Sequence, residues 1–89
     1  VQAAPLPTIS IPIGWNIQVA SFVVESNAVN LLEDLKAQNL PAFANAVEGP
    51  RGTVFRVFAG PLDNQIDALD LQNRLNRRYR VESIMVRRD

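Results

Sequence analysis

The 89-residue chain contains no cysteine and no histidine. Without them there is no thiol nucleophile, no imidazole acid–base chemistry and none of the usual zinc sites, and redox compartment leaves no mark. Lysine occurs once, as Lys36, on a segment expected to be a helix lying across a sheet from Ser21, so a Ser–Lys pair is not expected. No glycine-rich phosphate loop is present. No apolar run reaches the roughly 20 residues a membrane-spanning helix needs, and no secretory signal pattern opens the chain. The first residue is Val1 rather than methionine, which is read as a fragment or a processed form. There is also no net charge: nine basic residues balance nine acidic ones, which removes the simplest electrostatic case for nucleic-acid binding. Acidic neighbours such as Glu33–Asp34 and Asp67–Asp70 fall on predicted exposed helix faces and read as solvated charge. An enzyme is therefore not expected, nor a metal or cofactor.

What is present is an ordinary globular composition, 47% hydrophobic and 20% charged, with length for one domain. Residues 1–14 carry Pro5, Pro7 and Pro12 and no charge, and read as an extended linker, with the alternation of Ile9, Ile11 and Ile13 leaving open that part of it lies against the domain. Residues 15–89 read as the domain. Residues 15–22 alternate like a half-buried strand, with Trp15, Ile17 and Val19 on the core face and Asn16, Gln18 and Ala20 on the other. A bulge there would bring Ser21 rather than Ala20 to the open face and turn Phe22 inward. Ser26 suits a helix N-cap, and Ala28, Leu31, Leu32 and Leu35 follow at helical spacing. Asn39 suits a left-handed cap and Pro41 a stop. Residues 42–47 form a weaker strand, 48–52 a turn, and 53–59 the strongest strand, ended by Gly60–Pro61. Asp63 caps a second helix running to about Arg78, and residues 81–86 make a last strand. Tyr79 is placed where that helix meets the last strand.

The helix stripe Ala28, Leu31, Leu35 recurs forty residues later as Ala68, Leu71, Leu75. Two copies of strand–helix–strand predict an α+β, ferredoxin-like βαββαβ fold: a four-stranded, largely antiparallel sheet with both helices on one face. The other face is open. It should show Gln18, either Ala20 or Ser21 depending on that bulge, and Val54, Arg56 and Phe58, a set suited to a flat polar ligand. A guanidinium pairs bidentately with a carboxylate, and a Gln amide both donates and accepts. The bland alternative, with Arg56 in a cross-strand pair and Phe58 an edge residue, stands beside it. The arginines at 74, 77, 78, 80, 87 and 88 are read first as complementing a helix C-terminus.

The run Ile17-Gln18-Val19-Ala20-Ser21-Phe22 resembles the (V/I)-Q-(V/L)-(G/A)-S-F first strand of SPOR domains. Arg56-Val57-Phe58-Ala59-Gly60-Pro61 resembles their R-V-x-x-G-P third strand, and the two Ala/Leu helices fall where the family has them. The resemblance runs from about Trp15 to Val86. It implies non-catalytic binding of peptidoglycan glycan strands stripped of stem peptides (GlcNAc–MurNAc), on the open sheet face. It implies targeting of a parent protein to the division septum, in the bacterial periplasm or cell envelope, by a monomeric carbohydrate-binding module. Gln18, Ser21 and Arg56 match the family's polar binding positions and Ile84 an apolar contact on the final strand. Several members carry tryptophan two residues before the third-strand arginine, where this chain has Val54, which a sugar ring cannot stack on as it would on an indole. Two other readings remain in view. One is a protein-interaction or self-association domain using the same face. The other is nucleic-acid binding, which shares the topology but here shows neither net positive charge nor an evident aromatic stacking pair.

Overall fold

The computed structural model describes residues 12–88. The linker reading for residues 1–11, including Pro5, Pro7, Ile9 and Ile11, lies outside the described residues. The elements run β1 (Gly14–Phe22), α1 (Glu25–Ala37), β2 (Ala42–Gly49), β3 (Gly52–Leu62), α2 (Gln65–Tyr79) and β4 (Ile84–Arg88). The strands form one sheet in the order β2-β3-β1-β4, and every neighbouring pair is antiparallel. This is the expected ferredoxin-like α+β architecture.

The core lies between the sheet and the helices. Ile17 and Val19 of β1, Ala44 of β2 and Val57 and Ala59 of β3 meet Ala28 and Leu35 of α1 and Leu71 and Leu75 of α2. Both copies of the repeated stripe are thus used as the spacing predicts, with Ala28 and Ala68 fully buried where helix backbone approaches sheet. Trp15 is corrected. It has the expected parity, but it is only half-buried at the sheet end, where the Arg87 guanidinium lies 5.2 Å from its ring centroid.

Both helix starts differ from expectation. Ser26 lies inside α1, whose N-cap Val24 offers no side-chain hydrogen bond. The cap of α2 is Asn64, not Asp63. Its Oδ1 accepts from the Asp67 backbone N–H at 2.9 Å, and its Nδ2 donates to Asp67 Oδ2 at 2.9 Å. The one-residue shift puts the acceptor three residues before a free N–H, which is the reach a cap requires. Asn64→Ala is expected to cost about 1 kcal/mol, lowering the melting temperature by roughly 4–8 °C. Asp63→Ala should leave it nearly unchanged in the same thermal scan.

The last strand starts at Ile84, not at 81. Residues 81–83 are tied to α2 instead. Asn76 Oδ1 accepts from the Ser83 backbone N–H and from Ser83 Oγ, and Gln72 Nε2 donates to the Ser83 carbonyl. Tyr79 also departs from its expected neighbour: its hydroxyl donates to Asp34 Oδ2 and accepts from Gln38 Nε2, joining α2 to α1. Asn39 is left-handed (φ 62°), as expected of the residue that ends α1. The strand β3 does not end at Gly60–Pro61. It continues to Leu62 across an irregularity in its pairing with β1 between Trp15 and Ile17.

Candidate glycan-binding face

The sheet face away from the helices is set by the register. Gln18 lies opposite Phe58 on one side and opposite Ile84 on the other. One step along β3, Arg56 sits between Ser21 of β1 and Asn45 of β2. Phe43 faces Phe58, and Val47 faces Val54. Cross-strand partners on one face have Cα atoms about 4.5–5.5 Å apart, so these residues form a compact patch rather than scattered points.

A bulge makes the patch possible. Strict alternation from Gln18 would put Ala20 beside it and turn Ser21 to the helices. Between Gln18 and Ala20 the register shifts: Ala20 pairs with Val57 on the core side, Ser21 with Arg56 on the open side, and Phe22 with Phe55 inward. The extra residue flips the parity of everything after it.

The predicted site residues are therefore brought to one face, with unequal access. Ser21 is exposed, Gln18, Val54 and Arg56 are half-buried, and Ile84 is 56% exposed beside Gln18. Arg56 has polar cross-strand neighbours, Ser21 and Asn45, and its guanidinium forms no ion pair among the described residues. The expectation for Phe58 is corrected. It has the open-face parity, but in the central strand it is fully buried, its ring stacked on that of Phe43 at 4.8 Å and 6°. An aromatic stacking pair thus does exist. Phe58 has no exposed ring surface for a base or a sugar, and its ring lies parallel beside that of its cross-strand partner Phe43.

Sequence reading missed Phe43, Asn45 and the burial of Asn16. Phe43 and Asn45 alternate in a strand too weakly patterned to fix its own parity, so only the β2–β3 pairing locates them. Asn16 is fully buried rather than open to solvent. Its Nδ2 donates to the Pro12 carbonyl at 2.8 Å and to the Gly14 carbonyl at 3.3 Å, and it packs against Gly60. A cavity of about 450 Å³ continues the patch at the β2–β3 hairpin, lined by Val23, Val54, Thr53, Arg51 and the turn around it. Its walls are largely aliphatic, with a second guanidinium, Arg51, at the rim.

The family model for SPOR domains matches residues 12–86, nearly all of the chain. The chain belongs to the SPOR domain family. Comparison with curated proteins and with solved structures gave no match. SPOR domains are peptidoglycan-binding domains that serve septal localisation, and the family is a binding family, not a catalytic one. They are associated with the bacterial cell envelope and division septum. Among the described residues, no group of three or more His, Cys, Asp or Glu side chains is placed to hold a metal ion. No helix among them is long and apolar enough to cross a membrane.

Proposed function

We propose that this SPOR domain is a monomeric carbohydrate-binding module that recognises peptidoglycan glycan strands lacking stem peptides, in the periplasm, and so carries its parent protein to the septum. The reading rests on one observation above the others: the β1 bulge sets Ser21 and Gln18 on one face with Arg56 beside them. Removing a stem peptide frees the lactyl carboxylate of N-acetylmuramic acid. The Arg56 guanidinium, which forms no ion pair among the described residues, is flanked by hydroxyl and amide groups and is a fitting receptor for it. Gln18 has both donor and acceptor capacity for the neighbouring hydroxyl or acetamido groups. Phe43, stacked beside Phe58, and the aliphatic groups of Val54 and Ile84 offer apolar surface where an indole is lacking.

The test is co-sedimentation with purified sacculi, with and without prior amidase digestion. Retention should rise on amidase-treated sacculi, because digestion creates the carboxylate. Equal retention on both preparations would reject the denuded-strand specificity while leaving peptidoglycan binding in place. No retention on either would favour the protein-interaction reading, for which exposed Ile84 on the same face is the starting point. Phe43→Ala should weaken retention about five- to tenfold, since loss of one stacking contact is worth roughly 1 kcal/mol. Phe43→Leu should restore only part of it, which separates stacking from simple burial.

A further inference from the structure

Three side chains on the open sheet face are more buried than a solvated face allows. Asn16 and Phe58 are fully buried and Asn45 is 5% exposed, although register and alternation put all three on the side away from the helices. They are not scattered. Asn16 stands two residues before Gln18 in β1, Phe58 lies opposite Gln18 in β3, and Asn45 lies opposite Arg56 in β2. With the strand order β2-β3-β1-β4, they make a diagonal line from the start of β1, across β3, to the edge strand β2. Off the line the face opens: Gln18, Phe43 and Arg56 are half-buried, Ser21 is exposed and Ile84 is 56% exposed. The Phe43 ring shields one side of Phe58. Asn45, in the edge strand, has a sheet neighbour on one side only, so sheet pairing does not account for its burial.

The start of the line shows what kind of chain covers it. Asn16 Nδ2 donates to the Pro12 carbonyl at 2.8 Å and to the Gly14 carbonyl at 3.3 Å, and Gly14, at φ +123°, turns the backbone there. The polypeptide therefore enters β1 from the open side, over Asn16. Before Pro12 stand eleven residues with no charged side chain, among them Leu6, Ile9 and Ile11. Extended, they reach about 36 Å, whereas the line from Asn16 to Asn45 spans roughly 16 Å, four residue rises and two strand spacings. An uncharged segment buries no ion in covering the face. A second copy or a partner protein would have to pass the turn at residues 12–14 that already holds one end of the line.

We propose that residues 1–11 of this chain lie extended along this line, with Ile9 and Ile11 turned to the sheet, and so compete with ligands for the open face. The competition rests on the reading of that face as the glycan site; the docking of the segment does not. Ser21 and Ile84, off the line, stay accessible to a first contact, and a glycan strand reaches the rest by displacing the segment.

The experiment compares the 89-residue chain with its Ile9→Ser, Ile11→Ser double variant, which adds no charge. In the ¹³C,¹⁵N-labelled parent, nuclear Overhauser contacts are expected from the Ile9 or Ile11 methyls to the Phe43 ring. In the variant, the amides of Phe43, Asn45 and Phe58 should shift while those of Leu35 and Leu75 in the core stay in place. Retention on amidase-treated sacculi should rise about fivefold or more, since apparent affinity scales with the fraction of domains whose face is open. Absence of those contacts together with unmoved amides would overturn the docking. Shifts that grow with protein concentration in the parent would also overturn it, in favour of a second copy. Contacts present but retention unchanged would overturn the competition alone. No retention of either chain would reject the glycan reading and the competition with it, while the contacts would still establish the docking.

Discussion

Arg56→Ala should reduce retention on amidase-treated sacculi by at least tenfold, and by more if the lactyl carboxylate is held through both guanidinium nitrogens. A hydrogen bond to a charged group contributes about 1.5–3 kcal/mol, and 1.4 kcal/mol is a factor of ten. Gln18→Ala, which removes a neutral amide next to it, should cost roughly three- to tenfold. Neither change should disturb the fold. Both side chains lie on the open face outside the core cluster, so melting temperatures should stay within a few degrees of the parent. Arg56→Lys is the sharper variant. It keeps the charge and loses the planar fork, so if bidentate pairing carries affinity it recovers only part of the loss. Full retention by both alanine variants, with the fold intact, would remove the open face as the binding site.

Gly60→Ala is expected to have the largest effect on stability of any single methyl added to this chain. The residue has φ +137°, a region open essentially to glycine alone. A Cβ built there would stand 2.9 Å from Asn16 Oδ1 and 2.9 Å from the Trp15 carbonyl oxygen. One of these is backbone of the neighbouring strand and the other the side chain of a fully buried residue, so neither gives way cheaply. Strained backbone alone costs about 1–3 kcal/mol, and the overlap adds to it. For a domain of this size that means a fall in melting temperature of more than about 10 °C. Gly52→Ala is the control. It too has positive φ (+113°), but nothing lies within 4 Å of its Cβ position, so it carries the backbone strain without the clash. The difference between the two melting temperatures isolates the contact with Asn16 and Trp15. Equal losses would mean that contact is unimportant.

The Gly60 neighbourhood also shows where reading the sequence stopped short. Gly60–Pro61 has the chemistry of a strand end, and local propensity makes it one. The strand instead runs through to Leu62 because Gly60 lets its backbone approach Asn16 closely, and Asn16 is held by carbonyls of Pro12 and Gly14. No window of a few residues contains that information, since its two halves are more than forty residues apart. The same holds for Phe58. Its parity is fixed by alternation, but its burial and its stacking on Phe43 of a different strand are tertiary.

The helix and strand types, the repeated Ala/Leu stripes and the resulting ferredoxin-like sheet were determined by the sequence itself. Apolar spacing of 3.6 and 2 is a local property that burial only confirms. The same is true of the candidate polar residues Gln18 and Arg56, whose parity follows from their own strands. Three things were decided only by tertiary structure: which of Ala20 and Ser21 joins them, that Phe43 and Asn45 are their neighbours, and that Phe58 is buried rather than exposed. Each depends on register, a relation between segments distant in the chain. One bulged residue in β1 reverses the facing of all that follow it.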